Sequence, residues 1–302
     1  MFRLSRLALL PLMAAATASA HGGASQAQGG GIAWNLDGRV AVPLLLLAAA
    51  YAGGWRRLHR RSRLGRGERA KGARLFAAGW LVLALALVSP LHEGGQRSFT
   101  LHMIEHEAIM LVAAWLLAAS RPLPVLLWAL PQQLRSGAGS LGAAAWPAAA
   151  WRFLTDPVVA TVIQAVVLVA WHMPALFERA LGGAGWHSAQ HIAFLGSALL
   201  FWWAMANGRA GRHAYGVAAI CLFGTSLVGG LLGALMSFSA SPWYGRYAAM
   251  GMTPLGLDPL EDQHLAGLLM WIPGGLVHAG AALFFLYKWL RASEVSHAVA
   301  AE

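Results

Sequence analysis

Four of the twelve histidines in this chain form two H-x-x-x-H pairs, His102/His106 and His187/His191. Four positions on a helix advance about 6 Å, close to one turn, so both rings of a pair point to one side. Neutral imidazole is a ligand for copper, zinc and iron. The pairs therefore predict a metal or haem site, and His172 and His264 are two further candidate ligands on other apolar segments. Met103 follows His102 and Met173 follows His172; thioether beside imidazole suits copper, above all Cu(I). Glu105, Glu107, Glu261 and Asp262 supply carboxylates that could orient the rings from outside the coordination sphere. Glu105 is one residue from His106 and points to a different side, which disfavours direct ligation alongside both histidines. Asp262 and Gln263 open the last apolar segment as orienting or packing groups.

These residues need elements to position them, and the composition says which kind. The 302-residue chain is 58% hydrophobic and 11% charged, whereas soluble domains carry about a quarter charged residues. Several long apolar runs predict an all-α, polytopic membrane helical bundle with about seven transmembrane helices. The spans cover about Val40 to Trp55, Leu75 to Val88, Phe99 to Ala119, Val158 to Trp171, His187 to Ala206, Tyr215 to Phe238 and His264 to Tyr287. The stretch from Arg121 to Pro157, rich in Pro, Gly and Ala, is expected to be a connection with one short interfacial helix at most. One membrane domain, 40–290, follows from the absence of internal repeats.

Lys and Arg set the orientation. The loop Arg56 to Arg74 holds nine basic residues, and Arg121, Arg135, Arg152, Arg209, Arg212, Lys288 and Arg291 fall on its side. The positive-inside rule places the N-terminus outside and the C-terminus inside, with residues 291–302 as a cytoplasmic tail. Residues 1–20 read as a secretory signal, with Arg3 and Arg6, an apolar stretch and Ala18-Ser19-Ala20, followed by a flexible outer leader over 21–39. Cleavage after Ala20 would expose His21, whose amine and ring could chelate Cu(II). The net charge of +10 is explained by the inner loops, so no nucleic-acid partner is expected and the lipid bilayer is. The single cysteine, Cys221, excludes an internal disulfide or a C-x-x-C site.

With orientation fixed, His102, His106, His172, His187, His191 and His264 all fall at the outer level of four helices. His92 lies near them in the first outer loop, and His278 lies about 21 Å deeper than His264, where it is read as a packing group. Polar groups in or beside a bilayer are functional candidates by default. Six imidazoles exceed the three or four that one copper takes, so either two sites exist or some rings relay or orient.

At these residues the chain resembles the CtaG family of cytochrome c oxidase assembly factors, seven-helix membrane proteins of bacteria. The matching segments are Ser89-Pro90-Leu91, the H-M-x-x-H of His102 to His106, and Trp171-His172 with Pro174. They continue with His187 to His191 followed by Phe194 and Phe201-Trp202-Trp203, and with Asp262-Gln263 leading into Gly267, Met270-Trp271 and Pro273-Gly274. Glu105 stands where the family pattern usually has glutamine, and the double proline often seen after Glu107 is missing. The resemblance implies a location in the bacterial inner membrane, cytochrome c oxidase subunits as partners, and a role in maturing their copper-containing part instead of catalysing a small-molecule reaction. Two other readings compete. A cytochrome b-like carrier would hold haem between two histidines facing one another across helices, commonly deeper in the bilayer. A purely structural chaperone would bind an oxidase subunit with the histidines incidental.

Overall fold

The computed structural model describes residues 34–62, 65–208 and 211–300. The expected signal segment, residues 1–20, and the expected chelating His21 lie outside them. Among the described residues the chain is helical and contains no strand. Six helices are long and apolar enough to cross a membrane, or seven if one bent pair counts as a single span. The chain is thus a multi-pass membrane protein.

Helices start where the sequence supplies caps. Asp37 accepts the Arg39 N–H at the start of α1 (Gly38–Arg61), and α2 (Arg66–Val88) runs back antiparallel to it. Ser89 closes α2 and opens the short α3 (Pro90–Gly95), with Pro90 in its first turn. Ser98 caps α4 (Phe99–Ala119). Asp156 and Pro157 open α8 (Pro157–His172). Beyond it lie α9 (Pro174–Gly182), α10 (Ala184–Asn207), α11 (Arg212–Ser237) and α12 (Gly245–Met250). The last span, α13 (Pro259–Glu294), begins with a capping box in which Asp258 accepts the Glu261 N–H and Glu261 accepts the Asp258 N–H. Glu261, expected to orient a histidine, is used up in that box.

The connection after Arg121 departs from expectation. It forms three helices, α5 (Leu123–Ala129), α6 (Gln132–Ala143) and α7 (Ala145–Leu154). The prolines that suggested a loop stand at helix starts or in first turns, where a missing N–H costs nothing, and the alanines between them favour helix. The α7 axis meets α8 at a 65° bend.

α4 is the hub: 61% of its spanning window is buried, against 17% for α1 and 22% for α2. One apolar cluster joins α1, α2, α4 and α5 through Tyr51, Phe76, Leu83, Ile109 and Leu126. A second joins α4 to α8, α10, α11 and α13 through Met110, Leu168, Phe201, Leu222 and Met270. Leu45, Leu81, Val166, Phe223 and Leu283 project outward, as lipid-facing side chains do. At the α11–α13 crossing, a Cβ on Gly233 would lie 2.6 Å from the Gly267 carbonyl oxygen, so the backbones meet as only small residues allow.

Two spans contain wide π turns, Ala108–Ala113 in α4 and Met270–Gly274 in α13. Pro273 removes a backbone donor in the second. In the first, the Trp202 indole of α10 donates to the Met110 carbonyl at 2.9 Å, satisfying an acceptor in the widened turn.

Candidate metal centre

The end of the bundle opposite the basic residues on the adjoining ends of α1 and α2, where α2 turns into α3, gathers histidines from three helices. α4 brings His102 and His106, α10 brings His187 and His191, and α3 brings His92. Ring centroids lie 4.2 Å apart for His102/His106 and 4.5 Å for His187/His191. Across helices they are 5.7 Å for His102/His187, 5.3 Å for His106/His191 and 5.2 Å for His92/His187. Both expected pairs therefore join one cluster of five imidazoles.

His92, expected in an outer loop, is instead part of the helix α3. Ser89-Pro90 is a helix-start pattern that marks the segment as helical, though not the direction in which its third residue faces. In α3 the ring is buried, and Glu105 accepts its Nδ1–H at 2.8 Å. Burial alone would lower the His92 imidazole pKa, but the hydrogen bond and charge of Glu105 outweigh it and hold it above its ordinary value. With the proton on Nδ1, Nε2 presents its lone pair. One ring nitrogen from each of His92, His187 and His191 lies within 4.8 Å of the others. Nitrogens this close can share one metal held at about 2 Å from each, with small ring rotations supplying the roughly 4 Å or shorter spacing that such bonding needs.

Glu105 is fully buried and is the carboxylate that orients the cluster; its Oε1 also lies 3.5 Å from His191 Nε2. It therefore reaches both His92 and His191 from within the cluster. Its other oxygen, both nitrogens of His102 and His106, and the Nε2 atoms of His187 and His191 are buried without a hydrogen bond, although the Gly95 backbone runs beside His102. Each such group costs about 1–3 kcal/mol when left unmade. So many orphans in one place fit the donor set of a soft or borderline metal such as copper.

The other expected residues take different places. The His172 Nδ1 donates to the Leu168 carbonyl at 2.7 Å, leaving Nε2 buried and unpartnered. Its ring reaches Phe177 and Phe194, which in turn edge against His102 and His106, so it sits behind the cluster. The His264 ring bonds the Ser239 carbonyl at 2.9 Å, and no ring contact ties it to the other histidines among the described residues. Met103 packs in the apolar core, while Met173 is 55% exposed at the start of α9. Glu107 packs against Gly274 of α13.

Asp262 and Gln263 are packing groups. Asp262 accepts the Ser98 hydroxyl at 2.8 Å and the Phe99 and Thr100 N–H groups, capping α4 from α13. Gln263 accepts the Trp243 N–H at 2.6 Å. Next to them Tyr247 donates to the Gly95 carbonyl and Tyr244 to the His172 carbonyl. Burial raises the Tyr247 phenol well above its ordinary pKa, and the Asp262 and Glu105 charges add to it. These tyrosines tie α3 and the end of α8 to the segment before α13, an arrangement no local pattern announces.

Comparisons with known proteins agree with this frame. The chain is 27% identical over 272 residues to uncharacterized proteins of Mycobacterium bovis and Mycobacterium tuberculosis, an overlap of 85% of this chain and 39% of each relative. It thus spans about two fifths of the length of those relatives. No solved structure matches it. Residues 49–292 match the family described as cytochrome c oxidase caa3 assembly factor, and that stretch contains every histidine of the cluster. The chain belongs to the caa3 cytochrome c oxidase assembly factor family.

Proposed function

We propose that this protein binds copper in the histidine cluster, at the outer face of the membrane, and passes it to a cytochrome c oxidase subunit during assembly. The observation that carries the reading is the convergence of five imidazoles with orphaned nitrogens around His92, His187 and His191. Copper is cargo here. Three nitrogens leave the coordination of a metal incomplete, which favours loading followed by release. His102 and His106 lie in ring contact with His187 and His191 and offer alternative ligands, so the metal can exchange partners without meeting water. The outer location rests on the positive-inside rule, applied to the basic residues at the opposite ends of α1 and α2.

The test is metal analysis with an optical spectrum on protein purified from copper-supplemented cells. Stoichiometric copper that is lost in a His187→Ala/His191→Ala variant supports the reading. A Soret band would replace it with the haem carrier, and absence of both would leave a chaperone whose histidines are incidental.

A further inference from the structure

The opposite end of the bundle carries a polar feature that the histidine cluster does not use. Arg57, Arg60 and Arg61 share one face of the last turn of α1 and, with Arg135 of α6, line a cleft of about 320 Å³. Its shape is fixed by specific contacts. The Arg57 guanidinium donates to the Ala129 carbonyl at 2.7 Å at the end of α5, and Arg135 lies 4.1 Å from the centre of the Trp128 ring. α6 starts beside the cleft at Gln132 with Pro131 before it and no side-chain cap, so the N–H groups of its first turn have no side-chain acceptor. Among the described residues, no carboxylate pairs with any of the four arginines. Guanidinium groups and a helix N-terminus around one hollow select an oxyanion, and phosphate above all.

Its surroundings say where that phosphate comes from. The cleft sits at the end of a 24-residue span, the depth of lipid headgroups. α6 and α7, next in the chain, expose Leu134, Leu141, Trp146 and Phe153, apolar side chains that interfacial helices lay against acyl chains. We propose that the cleft formed by Arg57, Arg60, Arg61 and Arg135 binds the phosphate headgroup of an anionic phospholipid and so fastens the α5–α7 connection to the membrane. This does not depend on copper binding.

The experiment uses the full chain in detergent, titrated with phosphatidylglycerol or phosphatidylcholine and read by native mass spectrometry. Arg57 is kept, because it holds α5. In an Arg60→Gln/Arg61→Gln/Arg135→Gln variant, phosphatidylglycerol affinity should fall about fivefold per charge and on the order of a hundredfold in all, approaching that for phosphatidylcholine. The single variants Arg60→Gln and Arg135→Gln should each show the fivefold step if the triple variant folds poorly. An Arg66→Gln/Lys71→Gln/Arg74→Gln control removes three charges from the same end outside the cleft and should bind as the parent does. Equal loss in the control, or equal affinity of the parent protein for both lipids, overturns the site. Displacement of the lipid by millimolar inorganic phosphate overturns its assignment to lipid.

Discussion

Exchanging Glu105 for glutamine isolates what the buried carboxylate does for the cluster. The substitution keeps the size of the side chain and an acceptor oxygen for the His92 Nδ1–H, now 2.8 Å away, while it removes the charge and turns the other oxygen into an NH2 donor. A hydrogen bond to a charged group contributes about 1.5–3 kcal/mol and a neutral one about 0.5–1.5, so the His92 ring loses about 1–2 kcal/mol of orienting energy. Glu105 also lies 3.5 Å from His191, which places the change next to two of the three proposed ligands. The expected result is a 10–100-fold loss of Cu(I) affinity, in line with other groups that hold a metal ligand from behind. Thermal stability of the metal-free protein should fall by no more than about 1–2 kcal/mol, the weaker hydrogen bond being offset in part by removal of a buried charge. The assay is competition against a chromophoric Cu(I) chelator at fixed pH, with His187→Ala alongside. Wild-type affinity in Glu105→Gln would refute the orienting role. A loss as complete as that of His187→Ala would make Glu105 a ligand in its own right.

Other outcomes follow from the same geometry. Asp262→Ala leaves the Ser98 hydroxyl and the Phe99 and Thr100 N–H groups without their acceptor and should cost about 3 kcal/mol or more, seen as a lower melting temperature in detergent. Tyr247→Phe frees the Gly95 carbonyl and should cost about 1–3 kcal/mol, while weakening copper retention through the loosened α3. Gly233→Leu pushes α11 off α13 at their closest approach and should reduce the yield of folded protein, whereas Leu231→Ala on the exposed face should not. Copper affinity should weaken as pH falls through the raised His92 value, because imidazolium cannot ligate. The stability that the His92–Glu105 pair gives the metal-free protein runs the other way. It is fully present below the ordinary imidazole value and lost as pH rises past the raised one, so melts across about pH 5 to 9 should separate the two trends.

The apolar runs and the H-x-x-x-H spacing made the bundle and four of the five clustered rings legible, since both depend on periodicities of a single helix. His92 escaped because its inward direction depends on a short helix, α3, between two spans. His264 was misleading for the opposite reason. Its depth matched the others, but rotation about the axis of α13 turned its ring to the Ser239 carbonyl. Depth can be read along one segment; azimuth around a neighbour cannot. Met173 shows the same limit, because adjacency to His172 in sequence says nothing about which way a residue at a helix boundary faces. The three helices after Arg121 were hidden by prolines whose position relative to each helix start is visible only once the starts are known.

The wide turn Ala108–Ala113 lies directly below His102 and His106 in α4. An α-helix rotates about 100° per residue, so the one additional residue in such a turn sets the outer segment of α4 about that far out of phase with the part below it. Deleting a single residue there would keep Leu117 and Ala118 in their packing while swinging both histidines away from α10. The register of the metal-facing rings is therefore written several residues below them, in apolar positions that carry no ligand chemistry at all.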